Sequence, residues 1–130
     1  MSIWGALTLS QKESFGKAIS ECQTATRLSE NNPFYMACLG YAYARADKRN
    51  EALHVLHQLE MLSQQKYVAS HDIAAIYAGL GDPSKAISWL NKAYDERSYA
   101  VLLIEVEPEF DALHSDPRFQ ALVQRIGPPQ

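Results

Sequence analysis

The chain has 130 residues, 47% of them hydrophobic, and a net charge of −3 with acids and bases interspersed. That suits one domain with a packed core and excludes the basic footprint of a nucleic-acid surface. The longest aliphatic run, Ala100 to Ile104, is too short to span a bilayer, and Met1 to Leu9 lacks a basic n-region and an A-x-A cleavage site. A cytoplasmic protein with no membrane partner is therefore expected.

Ile3, Trp4, Leu7 and Leu9 give a short apolar stripe, ended by a predicted break at Ser10 to Ser14. Ala18, Ile19, Cys22, Ala25 and Leu28 then recur at three- and four-residue intervals, predicting an amphipathic helix. Asn32-Pro33 reads as an N-cap and first-turn proline for a helix to about Ala46, with Asp47 at a left-handed turn position. The next helix, about Asn50 to Ser63, is expected to bury Ala52, Leu53, Leu56, Leu59 and Leu62.

A helix from about Ser70 to Leu80 should end at Gly81, and Asp82-Pro83 should start another that runs to about Glu96 and buries Ala86, Ile87, Leu90, Ala93 and Tyr94. Trp89 lies off the centre of that stripe, where it would cover the join to the C-terminal segment. Tyr99 to Val106 is apolar enough for a short buried helix, and Pro108 to Leu113 for a helical turn. Asp116-Pro117 opens a last helix with Phe119, Leu122, Val123 and Ile126 on one face, stopped by Gly127-Pro128.

One motif returns after 34 residues: Tyr43, Ala44, Ala52 and Leu56 reappear as Tyr77, Ala78, Ala86 and Leu90, and Leu39, Gly40 and Leu53 return conservatively as Ile73, Ala74 and Ile87. Small residues stand where helices cross and large ones between them. This pattern resembles the tetratricopeptide repeat. The stretch from Ser115-Asp116-Pro117-Arg118-Phe119 to Gly127 is similar to tails that close such arrays in multidomain bacterial regulatory proteins. The resemblance implies an all-α, right-handed superhelical array of antiparallel helix hairpins. It would form a single domain over 1–130: a partial first repeat at about 1–32, a second at 33–66, a third at 67–98 and a closing segment at 99–127, which would cap the array with helices.

It further implies a non-catalytic module for protein–protein interaction, because the first helix of each repeat would line a concave groove. By position that face is Ile3 and Leu7, then Phe34, Ala37, Tyr41 and Arg45, then Val68, His71, Ala75 and Gly79. Its aromatic anchors, small gaps and two polar heads suit a peptide. The competing reading has Phe34 and Val68 packed under the closing helix, leaving no groove. Chaperone-binding members clamp acidic tails with Lys, Asn and Arg; the corresponding positions here hold Ile3, Leu7, Cys38, Val68 and Asp72, so apolar or aromatic segments are the expected ligands. An alternative is an RNA-binding helical repeat, which needs a basic groove with base-reading side chains, and this face offers one Arg.

The remaining chemistry is sparse. His54 and His57 are three apart on one helix, but two ligands make no metal site, and solvent-facing histidines are the expectation. Cys22 and Cys38 read as buried thiols in a reducing compartment. Glu105, Glu107, Glu109 and Asp111 lack the spacing of a calcium loop and are expected to form a solvated edge. No enzyme activity, metal or cofactor is expected. With no polar cap before Ile3, Trp4 and Leu7, these residues are expected to pack two copies end to end as an isologous homodimer, whether or not the chain is part of a longer array.

Overall fold

The computed structural model describes residues 12–127, and all regular structure among them is helical. Six α-helices follow one another: α1 (Lys12–Leu28), α2 (Pro33–Arg45), α3 (Arg49–Leu62), α4 (Ser70–Gly79), α5 (Pro83–Asp95) and α6 (Pro117–Ile126). Two 3₁₀ helices, Tyr99–Leu103 and Pro108–Leu113, separate α5 from α6. Of the break expected at Ser10 to Ser14, the part from Lys12 onward is helical within α1, and Ser10 and Gln11 lie outside the described residues.

Local chemistry sets the helix starts. Asn32, Asp82 and Asp116 each accept a first-turn N–H, from Phe34 at 2.9 Å, Lys85 at 3.1 Å and Arg118 at 2.9 Å, and each is followed by proline. The proline forgoes an N–H that would have no helical partner, and the carboxylate or amide oxygen satisfies one that would. The ends of α2 and α4 match across 34 residues. Asp47 (φ 61°) and Gly81 (φ 80°) take the left-handed conformation. The next amides then reach back to helical carbonyls, Lys48 to Tyr43 at 2.9 Å and Asp82 to Tyr77 at 3.0 Å.

α1 with α2, and α4 with α5, form antiparallel pairs. Arg45 lies over the ring of Phe15 while Cys38 meets Cys22, so α2 runs back along α1. Lys85 lies over Tyr77 while Glu96 accepts from Ser70, which does the same for α5 and α4. α2 with α4, and α5 with α6, run parallel. A methyl built on Gly79 would lie 3.1 Å from the Ala44 Cβ, and one on Gly40 would lie 2.8 Å from Ile76 Cδ1, which seats α4 beside α2. Arg118 donates to Ser84 at 2.8 Å and Arg125 to Asn91 at 3.1 Å, which seats α6 beside α5.

The core is continuous through these pairs and includes Tyr41, Leu56, Leu59, Ile73, Ile76, Leu90, Phe110 and Phe119. On α3 the buried stripe is Ala52, Val55, Leu56 and Leu59; Leu53, expected inside, is 41% exposed, and Leu62 is half-buried. Val55 takes that place because its Cγ1 faces the bare backbone of Gly40 on α2. Trp89 is half-buried, with the Lys92 ammonium 4.7 Å above its ring. Tyr99 to Val106, expected as a short buried helix, holds a 3₁₀ helix over Tyr99–Leu103, and only Val101 and Ile104 are buried. A 3₁₀ turn places every third residue on one edge and so buries fewer side chains than an amphipathic α-helix.

Candidate functional site

The side chains expected to line a groove do not share an open face. Ala37, Tyr41 and Ala75 are completely buried, and Val68 and His71 nearly so. Gly79 is half-buried where α4 meets α2. Phe34 and Arg45 are exposed, the former edge-on to Tyr35 and the latter over Phe15. Ile3, Trp4 and Leu7 lie outside the described residues.

What covers His71 is the chain's own closing segment. The ring of Phe110 meets the imidazole edge to face, with centroids 5.3 Å apart. Nε2 of His71 is 2.8 Å from a carboxylate oxygen of Glu107, and Nδ1 is 3.2 Å from Asp72. Burial by itself would make this imidazole less basic. The hydrogen bonds to Asp72 and Glu107, reinforced by their charges, outweigh burial and raise its pKa to about 9. His71 is thus an imidazolium with both N–H groups engaged.

Glu109, two residues after Glu107, is 5% exposed, and its carboxyl oxygens meet no hydrogen-bond partner among the described residues. Burial, followed by the negative charge of Glu107, pushes its pKa up to about 7. The four acids expected to form one solvated edge therefore divide: Glu105 and Asp111 face solvent, Glu107 turns to His71, and Glu109 enters the core.

This cluster can hold a proton and strap the closing segment to α4. Among the described residues no group of His, Cys, Asp and Glu is arranged to hold a metal ion. His54 and His57 face solvent.

Four large exposed apolar side chains fall on the closing segment, Tyr99, Leu102, Leu103 and Val106, between 52% and 87% exposed; Leu28, Met61 and Tyr67 are exposed elsewhere. A cleft of about 490 Å³ opens beside the closing segment between Tyr94, Arg97, Tyr99, Leu102 and Ile126. A second, of about 560 Å³, lies between Val106, His114, Phe119 and Val123. Reading Tyr99 to Val106 as buried from its apolar character hides this surface, because only one edge of a 3₁₀ turn faces the core.

Comparison of the chain with protein-family models, with curated proteins and with solved structures finds no match. Among the described residues no helix is long and apolar enough to cross a membrane.

Proposed function

We propose that the chain is a non-catalytic protein-interaction module, a right-handed superhelical array of tetratricopeptide-like hairpins that binds an apolar or aromatic partner segment. The observation that carries the reading is the stacking of like elements 34 or 35 residues apart: Gly79 on Ala44, Arg118 on Ser84 and Arg125 on Asn91. The matched turns at Asp47 and Gly81 support it. Arrays of this kind expose broad surfaces for partners while each unit packs only on its neighbours.

The binding surface in this reading is the closing face. The Phe34-to-Ala75 face is largely buried, whereas Tyr99, Leu102, Leu103 and Val106 present apolar area flanked by two clefts. Exposed apolar side chains beside clefts suit a protein-interaction surface. Catalysis has no support in the His71 cluster, because an imidazolium tied to two carboxylates is a poor base. The reading also keeps self-association through Ile3, Trp4 and Leu7 and a cytoplasmic setting.

Selection from a random displayed-peptide library on the immobilised protein tests the proposal, followed by calorimetry of the enriched peptides. Apolar or aromatic sequences are expected. Leu103→Asp should weaken them at least ~10-fold, about 1.4 kcal/mol, while Phe34→Ala leaves them unchanged. Enrichment of acidic C-terminal tails, or affinity indifferent to Leu103→Asp, would defeat the reading. Light scattering at micromolar concentration with Trp4→Ser tests the self-association separately.

A further inference from the structure

Cys22 on α1 and Cys38 on α2 are separated by 16 positions in sequence, yet their sulfur atoms lie 2.9 Å apart. Both are free thiols, 4% and 0% exposed. The antiparallel pairing that sets Phe15 under Arg45 also sets these two side chains face to face. Among the described residues neither thiol belongs to a group of His, Cys, Asp and Glu arranged to hold a metal ion. Two thiols in contact within an apolar interface gain little as hydrogen-bond partners, since S–H is a weak donor. They are, however, within easy reach of a covalent bond, which needs about 2.05 Å between sulfurs.

We propose that Cys22 and Cys38 are a dithiol modification site that small-molecule disulfides oxidise to an intramolecular disulfide, stapling α1 to α2. Either sulfur can donate its S–H to the other. Cys22, 4% exposed against 0% for Cys38, is the thiol that a reagent meets first and is taken as the nucleophile. α1 packs chiefly on α2, so a local opening of this one interface admits the reagent.

The Cys22 thiolate attacks one sulfur of the small disulfide; that S–S bond breaks and a small thiolate leaves, giving a mixed disulfide on Cys22. Cys38 loses its proton and attacks the Cys22 sulfur, the second small thiolate departs, and the Cys22–Cys38 bond forms. The two protein thiols give up two electrons and two protons, and the small disulfide becomes two thiols.

The inference does not depend on the repeat reading or on any partner. Its test is incubation of the intact chain with oxidised glutathione, followed by intact-mass measurement, peptide mapping and thermal melts. The expected product is a monomer lighter by two hydrogens, carrying no glutathione, with the peptides of Cys22 and Cys38 linked. Its melting temperature should rise by on the order of 10 °C and return on reduction. Cys38→Ser should stop at a stable glutathione adduct on Cys22. The proposal fails if both wild-type thiols remain open to alkylation after unfolding, if glutathione stays on the wild-type chain, or if the link joins two molecules. The wild-type measurement decides the matter even if a variant folds poorly.

Discussion

Nε2 of His71 and a carboxylate oxygen of Glu107 lie 2.8 Å apart, tying α4 to the closing segment across 36 residues of chain. The bond is charge-assisted, and Phe110 shields it from water on one side. It makes the attachment of the closing segment depend on a proton.

Stability should therefore fall as pH rises through the upper neutral range. The folded-state pKa of His71, about 9, lies above the ordinary 6.5, so the folded state binds this proton more tightly than the unfolded chain does. The contribution is complete below about pH 6.5 and lost above about pH 9, with an upper bound of about 3 kcal/mol. Urea melts across that window should show the decline in the wild type and a much flatter profile in His71→Gln. Parallel profiles would show that the proton sits elsewhere.

Glu109 acts in a lower window. Its pKa is raised from 4.5 to about 7, so its contribution is also greatest in acid, and it is lost between those values as the buried carboxyl ionises beside Glu107. Glu109→Met keeps the length of the side chain and removes the polar atoms. It should stabilise the protein at about pH 8 by roughly 1–3 kcal/mol and abolish the pH dependence between about 4.5 and 7. A destabilised Glu109→Met at that pH would point to a partner for this carboxylate.

The helix register is tested by leucines on one helix and its counterpart. Leu56 and Leu90 are 2% and 0% exposed, and truncation of either to Ala should cost about 2–5 kcal/mol. Leu53→Ala should cost about 1 kcal/mol or less, and Lys48→Ala about 0.5 or less. Equal losses at Leu53 and Leu56 in urea melts would contradict the rotation of α3.

Gly40 reports the approach of three helices. An added methyl would lie 2.8 Å from Ile76 Cδ1 and 3.0 Å from Val55 Cγ1. Both neighbours are β-branched and buried, with little freedom to turn aside. Gly40→Ala, normally favourable within a helix, should instead destabilise by about 1–3 kcal/mol. Gly16→Ala in α1, where nothing lies within 4 Å of the added carbon, should stabilise by about 0.5–1 kcal/mol. Thermal melts of the two variants should move in opposite directions.

How much of the fold was legible in the sequence depends on the range of the interactions involved. Asn32-Pro33, Asp82-Pro83 and Asp116-Pro117 mark helix starts in the sequence and do so in the structure, because a cap bonds to an amide two or three residues away. Asp47 and Gly81 mark the ends of two helices for a similarly local reason. The inward faces of Ala52, Leu56, Ala86 and Leu90 follow from helical periodicity alone.

The candidate sites were less legible. A helix turns about 100° per residue, so a small rotation of α3 exchanges Leu53 for Val55, and that rotation is set by Gly40 on another helix. Sequence alone determined the helical character of the described residues, the capped helix starts and the main apolar stripes, since these rest on neighbours within about a turn. Only the tertiary structure decided that Cys22 meets Cys38, that His71 holds Glu107 and that Leu102 and Leu103 face outward. Those pairings join residues on separate elements, and side-chain packing between the elements selects one docking among many that the same stripes would permit.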